Sequence, residues 1–278
     1  MADLLSMIRV AYATLMMVLI LNLSILNFNS VAAQELQQAE DRGLELALKA
    51  KNKSRGWVDM QVQMTMLLRD AMGRETTREL RVTSKETVDD GDKNLYVFES
   101  PGDIRGSAFL SYSHIAKDDE QWLYLPALKR VKRIASASRA GAFMGSEFAY
   151  EDLSSFEVEK YRHRYLGDES CQGGGRVCHI VEQIPVDHNS GYARRQVWQD
   201  QEHSRIWKID YYDQKGQLLK TLVSSDFSLY LGKYWRPKNV AMQNHQTGKS
   251  TSLVYHSYRF NIGIMDRDFH KSALKRAY

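Results

Sequence analysis

From residue 58 the chain alternates strictly. Val58, Met60, Val62, Met64, Met66 and Leu68 fall on one side, and Asp59, Gln61, Gln63 and Thr65 on the other. Period two over this length predicts a strand with one buried and one solvated face. The segment before it behaves differently. Across 34–53, Leu36, Ala39, Gly43, Leu44, Ala47 and Leu48 recur at helical spacing without a proline, which predicts one amphipathic helix of about five turns. After residue 68 the short period returns repeatedly. Strands are predicted over 76–85, 95–99, 107–112, 121–125, 156–166, 177–184, 193–199, 205–212, 217–225, 235–244 and 250–260. Asp-, Gly- and Pro-rich turns such as Asp70–Gly73 and Asp213–Gly216 separate them. Residues 269–276 read as a short closing helix. These twelve segments, taken as roughly ten or eleven separate strands with short turns, predict a mainly β protein. Its antiparallel sheet is curled into a barrel or part-barrel.

The N-terminus follows neither period. Residues 10–26 are almost wholly apolar, preceded by Arg9 and followed by Val31-Ala32-Ala33. A basic start, an apolar run and small residues at a cleavage position make a secretory signal peptide, cut after Ala33. The competing reading is an uncleaved anchor, since the run approaches the roughly 20 residues that span a bilayer. Asn22, Asn27 and Asn29 argue against it. Export puts the remaining residues 34–278 in the periplasm as one β domain, with no linker or repeat to divide it.

Charge and cysteine count change the picture little. The net charge of +4 is too small to argue for nucleic acid, and export argues against it separately. Cys171 and Cys178 flank Gly173-Gly174-Gly175. An even count in an exported chain reads as one disulfide across a tight turn. In a reducing compartment the same residues would be two free thiols. No metal site is expected, because the eight histidines are scattered.

No catalytic constellation is visible. There is no Gly-x-Ser-x-Gly elbow and no phosphate loop, and no cofactor is implied. The Glu151-Asp152 pair reads most simply as part of a solvated loop. Two stretches depart from the plain β pattern. One is Trp122-Leu123-Tyr124-Leu125-Pro126, which leads through Lys129-Arg130-Val131-Lys132-Arg133-Ile134 as an aromatic strand, a proline turn and a basic strand. The other is Phe143-Met144-Gly145-Ser146-Glu147-Phe148-Ala149-Tyr150-Glu151-Asp152-Leu153, a long loop mixing large apolar residues with acids. Such loops serve as lids or fill a barrel end, and both readings stand.

In this order, after an exported N-terminus and a β meander, the two stretches resemble the outer-membrane lipoprotein-sorting protein family, whose fold is LolA-like and LolB-like. The run Tyr211-Tyr212-Asp213-Gln214-Lys215-Gly216 and the turn around Asn244 to Thr251 fit the same family. The resemblance implies a strongly curved antiparallel half-barrel with covering helices, and a hollow for acyl chains. It also implies a monomeric, non-enzymatic periplasmic carrier of lipoproteins or lipid-like cargo, working with a transporter of the resistance-nodulation-division (RND) type.

The residues are compatible with that expectation. The expected cargo lining is Val58, Met60, Val62, Met64 and Met66, with Trp122, Tyr124, Phe143, Met144 and Phe148. Methionine adapts to irregular apolar shapes, although the same methionines would also serve as plain core. The helix 34–53 and the loop 140–153 would be the movable cover. The runner-up function is an envelope sensor or assembly partner that binds protein segments. An integral outer-membrane barrel fails because the strands lack a lipid-facing apolar band.

Overall fold

The computed structural model describes residue 17 and residues 30–276. The apolar N-terminal run, residue 17 apart, and the terminal Tyr278 lie outside them, whereas the cleavage position lies within. Every predicted strand is present. So is the basic stretch after Pro126, which pairs as a strand and brings the total to thirteen. The strands are β1 (Asp59–Arg69), β2 (Glu75–Lys85), β3 (Lys93–Ser100), β4 (Ala108–Tyr112), β5 (Glu120–Leu125), β6 (Arg130–Ile134), β7 (Tyr161–Ser170), β8 (Val177–Pro185), β9 (Arg194–Asp200), β10 (Ile206–Tyr212), β11 (Leu218–Tyr230), β12 (Tyr234–Asn244) and β13 (Ser250–Phe260). A long helix, α1, runs over 30–54. β7 begins at Tyr161 rather than near Phe156, because Val158–Lys160 closes into a 3-10 turn first. The predicted closing helix is two 3-10 turns, Asp266–Phe269 and Lys271–Arg276. Extended backbone at His270 separates them.

All thirteen strands form one antiparallel sheet in the order β6-β5-β4-β3-β2-β1-β13-β12-β11-β10-β9-β8-β7. The chain therefore starts at the centre with β1 and meanders outward to the β6 edge. It then crosses the sheet and meanders back to β13, which pairs with β1 through Met60↔Phe260 and Met66↔Leu253. β6 and β7 do not pair, so the sheet is an open half-barrel. This topology explains the long loop. Residues 135–160 must carry the chain from one edge to the other, and they do so across the inner face of the sheet.

The pleat sorts the side chains. Val62, Met64, Met66, Leu80, Phe98, Phe109, Leu123, Val240 and Met242 point inward and form the main core with Phe143, Phe148 and Leu153 of the crossover. The alternate residues Leu95, Val97, Leu110 and Trp122 point outward and are covered by Phe269 and Leu274. A third cluster, Ile180 and Trp198, packs on the Cys171–Cys178 disulfide, which joins the ends of β7 and β8. Helix α1 covers the inner face near the β7 edge. Leu46 and Ala47 are buried, and Gln199 of β9 donates to the Leu46 carbonyl at 3.2 Å. Gly43 is required at this crossing, because a Cβ there would stand 2.7 Å from the Arg164 backbone of β7.

Candidate functional site

The inner face beneath the crossover is the candidate site. Its floor is the methionine row of β1. Met64 and Met66 are 2% and 1% exposed, Val62 is equally buried, and Met60, the first of the row, is half-buried. The roof is a short hairpin. Ala142 bridges Ala149, and the Phe143 amide donates to the Phe148 carbonyl at 2.7 Å. Met144 and Gly145 turn the chain with φ of 51° and 78°. Left-handed angles at two successive turn residues favour glycine at one of them, so the Met-Gly pair is legible as a turn once the hairpin is seen. Ser146 locks the tip by donating its hydroxyl to the Phe143 carbonyl at 2.8 Å.

Phe143 is the hub of the roof. Its ring lies 5.2 Å from Phe109, 5.8 Å from Phe98, 6.1 Å from Tyr96 and 5.6 Å from Tyr150. These spacings suit offset and edge-on aromatic packing. Arg78 of β2 reaches up from the floor and donates to the Met144 carbonyl at 2.6 Å. Burial pushes its guanidinium pKa down, and its Nε has no hydrogen-bond partner.

The acidic end of the loop is not solvated, which corrects the sequence reading of Glu151-Asp152. The Asp152 side chain is 5% exposed and pairs at 2.8 Å with Lys220 of β11, itself 5% exposed. Asp152 also accepts from the Ala149 amide at 2.7 Å and from the Tyr192 hydroxyl at 2.9 Å. Lys220 further donates to the Glu147 carbonyl, and its Nζ lies over the Tyr192 and Tyr211 rings. Burial pushes both phenols far up from their ordinary value. Glu151 accepts from the Gly191 amide and the Ser190 hydroxyl, yet burial still raises its carboxyl. At the far end of the crossover, Lys51 of α1 holds the Phe156 carbonyl at 2.6 Å and the Glu157 carboxylate at 3.0 Å. Burial raises Glu157 as well. The two covers of the inner face are thereby tied together. Beside the crossover opens a cleft of about 480 Å³, rimmed by Asp119, Arg139, Lys160 and Asp187 among others.

The ten sequence-predicted lining residues divide. Met60, Val62, Met64, Met66, Phe143, Met144 and Phe148 come together. Trp122 and Tyr124 do not. β5 presents Leu123 and Leu125 inward, so the two aromatics lie on the outer face, where Trp122 packs on Tyr112 and under the Lys271 ammonium. Val58 is 56% exposed. Its φ of 64° kinks the chain just before β1 and takes it out of the alternation. Lys220, Arg78 and Tyr192 were not predicted as site residues. Among the described residues no group of three or more His, Cys, Asp or Glu could hold a metal ion. Also among them, no helix is long and apolar enough to cross a membrane.

An open antiparallel half-barrel whose inner face is apolar and roofed by a crossover and one helix defines a LolA-like fold. A LolA superfamily protein from Nitrosomonas europaea superposes with a TM-score of 0.67 at 21% identity, covering 83% of this chain and 98% of that one. A DUF1329 family protein from Desulfovibrio piger gives 0.80 at 27% identity, covering 85% and 99%. An outer membrane lipoprotein-sorting protein domain, as its crystal structure is described, from Vibrio parahaemolyticus gives 0.83 at 51% identity, covering 85% and 100%. A family model described as "uncharacterized protein" matches residues 90–276. No curated protein matches. The chain belongs to the outer membrane lipoprotein-sorting protein family.

Proposed function

We propose that the protein is a non-enzymatic periplasmic carrier that holds the acyl chain of a lipoprotein, or a similar lipid-like group, against the inner face of the half-barrel. The observation that carries this reading is the unbroken apolar floor from Met60 to Met66, roofed by aromatic side chains of a crossover rather than by a second sheet. A sandwich core cannot open without unfolding. A crossover held by side chains, the apolar Phe143, Phe148 and Leu153 and a few polar bonds, rather than by a strand ladder can lift and leave the sheet intact. Each methylene laid in the vacated space would contribute about 0.8 kcal/mol. The lining is then Met60, Val62, Met64, Met66, Phe143, Met144 and Phe148. Export by a cleaved signal peptide and hand-over to or from an RND-type transporter complete the proposal. The first rests on the N-terminal sequence pattern and the second on the family resemblance.

Burial decides how to test it. Aspartate at Met64 or Met66 would unfold the domain, because it would place an unpaired charge in the core. The half-buried Met60 is the position to change. Protein purified gently from a periplasm is examined by native mass spectrometry with lipid extraction, then titrated with a fluorescent fatty-acyl probe. A stoichiometric lipid, and probe uptake weakened by Met60→Asp at unchanged melting temperature, is the expected result. An empty protein that also ignores the probe overturns the carrier reading in favour of a module that binds protein segments.

A further inference from the structure

A second cleft, of about 380 Å³, lies where the C-terminal end of α1 meets the turns after β9 and β11. Lys53, His203, Arg205, Lys233, Trp235 and Arg236 line it, and no aspartate or glutamate does. The cations are only partly used. Lys53 donates to the Glu202 carbonyl at 2.7 Å, Lys233 to the Arg55 carbonyl at 2.9 Å, and Arg236 to the Ser54 and Trp235 carbonyls at 3.4 and 3.2 Å. Among the described residues none of these three forms an ion pair, whereas Arg205 is neutralised by Asp200 at 2.6 Å. Glu86 and Asp92 act on Arg236 through space without pairing with it, and the Glu86 carboxylate is engaged by the amides of Gly56 and Val58 and lies 3.9 Å from Arg55.

Capping α1 accounts for part of this. A helix C-terminus carries about half a negative charge, and Lys233 and Arg236 meet its last carbonyls. Three full positive charges exceed that need, and each ammonium keeps spare donors. His203 stacks on Trp235 at 4.9 Å with the Arg205 guanidinium 4.6 Å from the same ring, giving the cleft a rigid aromatic wall.

We infer that this cleft binds a phosphate ester. A phosphate monoester carries a charge of about −1.5 to −2 and three acceptor oxygens. That matches three unpaired cations better than a single carboxylate does. The ester is either a free, water-soluble phosphate monoester or the monoester head group of a phosphatidic acid-type lipid. The cleft stands whether or not the inner face takes acyl chains.

Inorganic phosphate, glycerol 3-phosphate and a short-chain phosphatidic acid below its micelle concentration are titrated calorimetrically into the protein at low and high ionic strength. Short-chain diacylglycerol serves as the uncharged control. Saturable, salt-weakened binding is expected. It should weaken about tenfold or more in Lys53→Gln/Lys233→Gln, the loss anticipated for two charge-assisted contacts, and stay unchanged in the remote Lys215→Gln. Binding of glycerol 3-phosphate as tight as that of the lipid identifies a free phosphate ester. Binding of phosphatidic acid alone, lost in the double variant, identifies a head-group site. If the double variant melts early, Lys53→Arg/Lys233→Arg must restore binding. The inference is overturned if no phosphate probe binds at low ionic strength, if the double variant binds like the parent, or if diacylglycerol matches phosphatidic acid.

Discussion

At the scale of single residues, Lys220 decides how firmly the roof is held. It stands alone as a charge among Leu218, Leu219, Thr221 and Leu222, and nothing in that pattern marks it as buried. A long side chain on a β meander normally reaches solvent. Only the crossover supplies the carboxylate that makes its burial tolerable. Removing one partner of a buried pair leaves the other uncompensated. Lys220→Met should therefore cost about 3–5 kcal/mol in urea unfolding. Lys220→Met/Asp152→Asn should recover a large part of that loss, because asparagine still accepts from Ala149 and Tyr192 without a charge. A single-variant cost below about 1 kcal/mol, the range of exposed pairs, would mean that the pair is solvated and the roof loosely held. The sequence disclosed the methionine row, because alternation is a local property. It misplaced Trp122 and Tyr124, because alternation does not say which face of a strand is inner. Val58 was lost to a backbone kink that no side-chain pattern records.

At the scale of elements, thirteen strands were legible in outline because each carries its own period and turn. β6 was the faintest of them, since its Arg130, Lys132 and Arg133 leave only Val131 and Ile134 as apolar signal, and it was read as a basic strand only from its place after the Pro126 turn. Helix α1 was legible from its spacing, but its seat was not, since Gly43 reads as a mere weakness in a helix. The structure gives that glycine its reason in the Arg164 backbone. Gly43→Leu should lift α1 from β7 while the sheet stays paired. Backbone atoms cannot move aside as a flexible side-chain end can. Hydrogen exchange is the appropriate readout. Amides across 30–54 should lose protection while those of β1, β2 and β13 keep theirs, and Gln38→Leu on the exposed side should change neither. Unchanged protection in Gly43→Leu would show that α1 does not sit against β7 in solution. If α1 is part of the cover, the same variant should also take up the acyl probe faster.

At the scale of the whole molecule, an open half-barrel has two edges that a closed barrel lacks, and each is a template for another chain. The two are guarded differently. Along β7 the backbone at Arg164 lies directly under α1. β6 meets the closing 3-10 turn Lys271–Arg276 through Val131 on its outer face. It pairs only with β5 and carries Arg130, Lys132 and Arg133, all exposed. Like charges on an edge strand repel a second copy that would pair edge to edge, so the basic run after Pro126 is explained by topology before any ligand is invoked. The triple variant Arg130→Thr/Lys132→Thr/Arg133→Thr keeps strand propensity and removes the repulsion. Its circular dichroism should match the parent, while sedimentation should show association that grows with concentration and exceeds the parent's. The triple variant sedimenting like the parent at every concentration would leave the basic edge without a protective role. β6 would then become a candidate contact for a partner, and retention of the parent, but not of the variant, on anionic vesicles would be the next discriminating measurement.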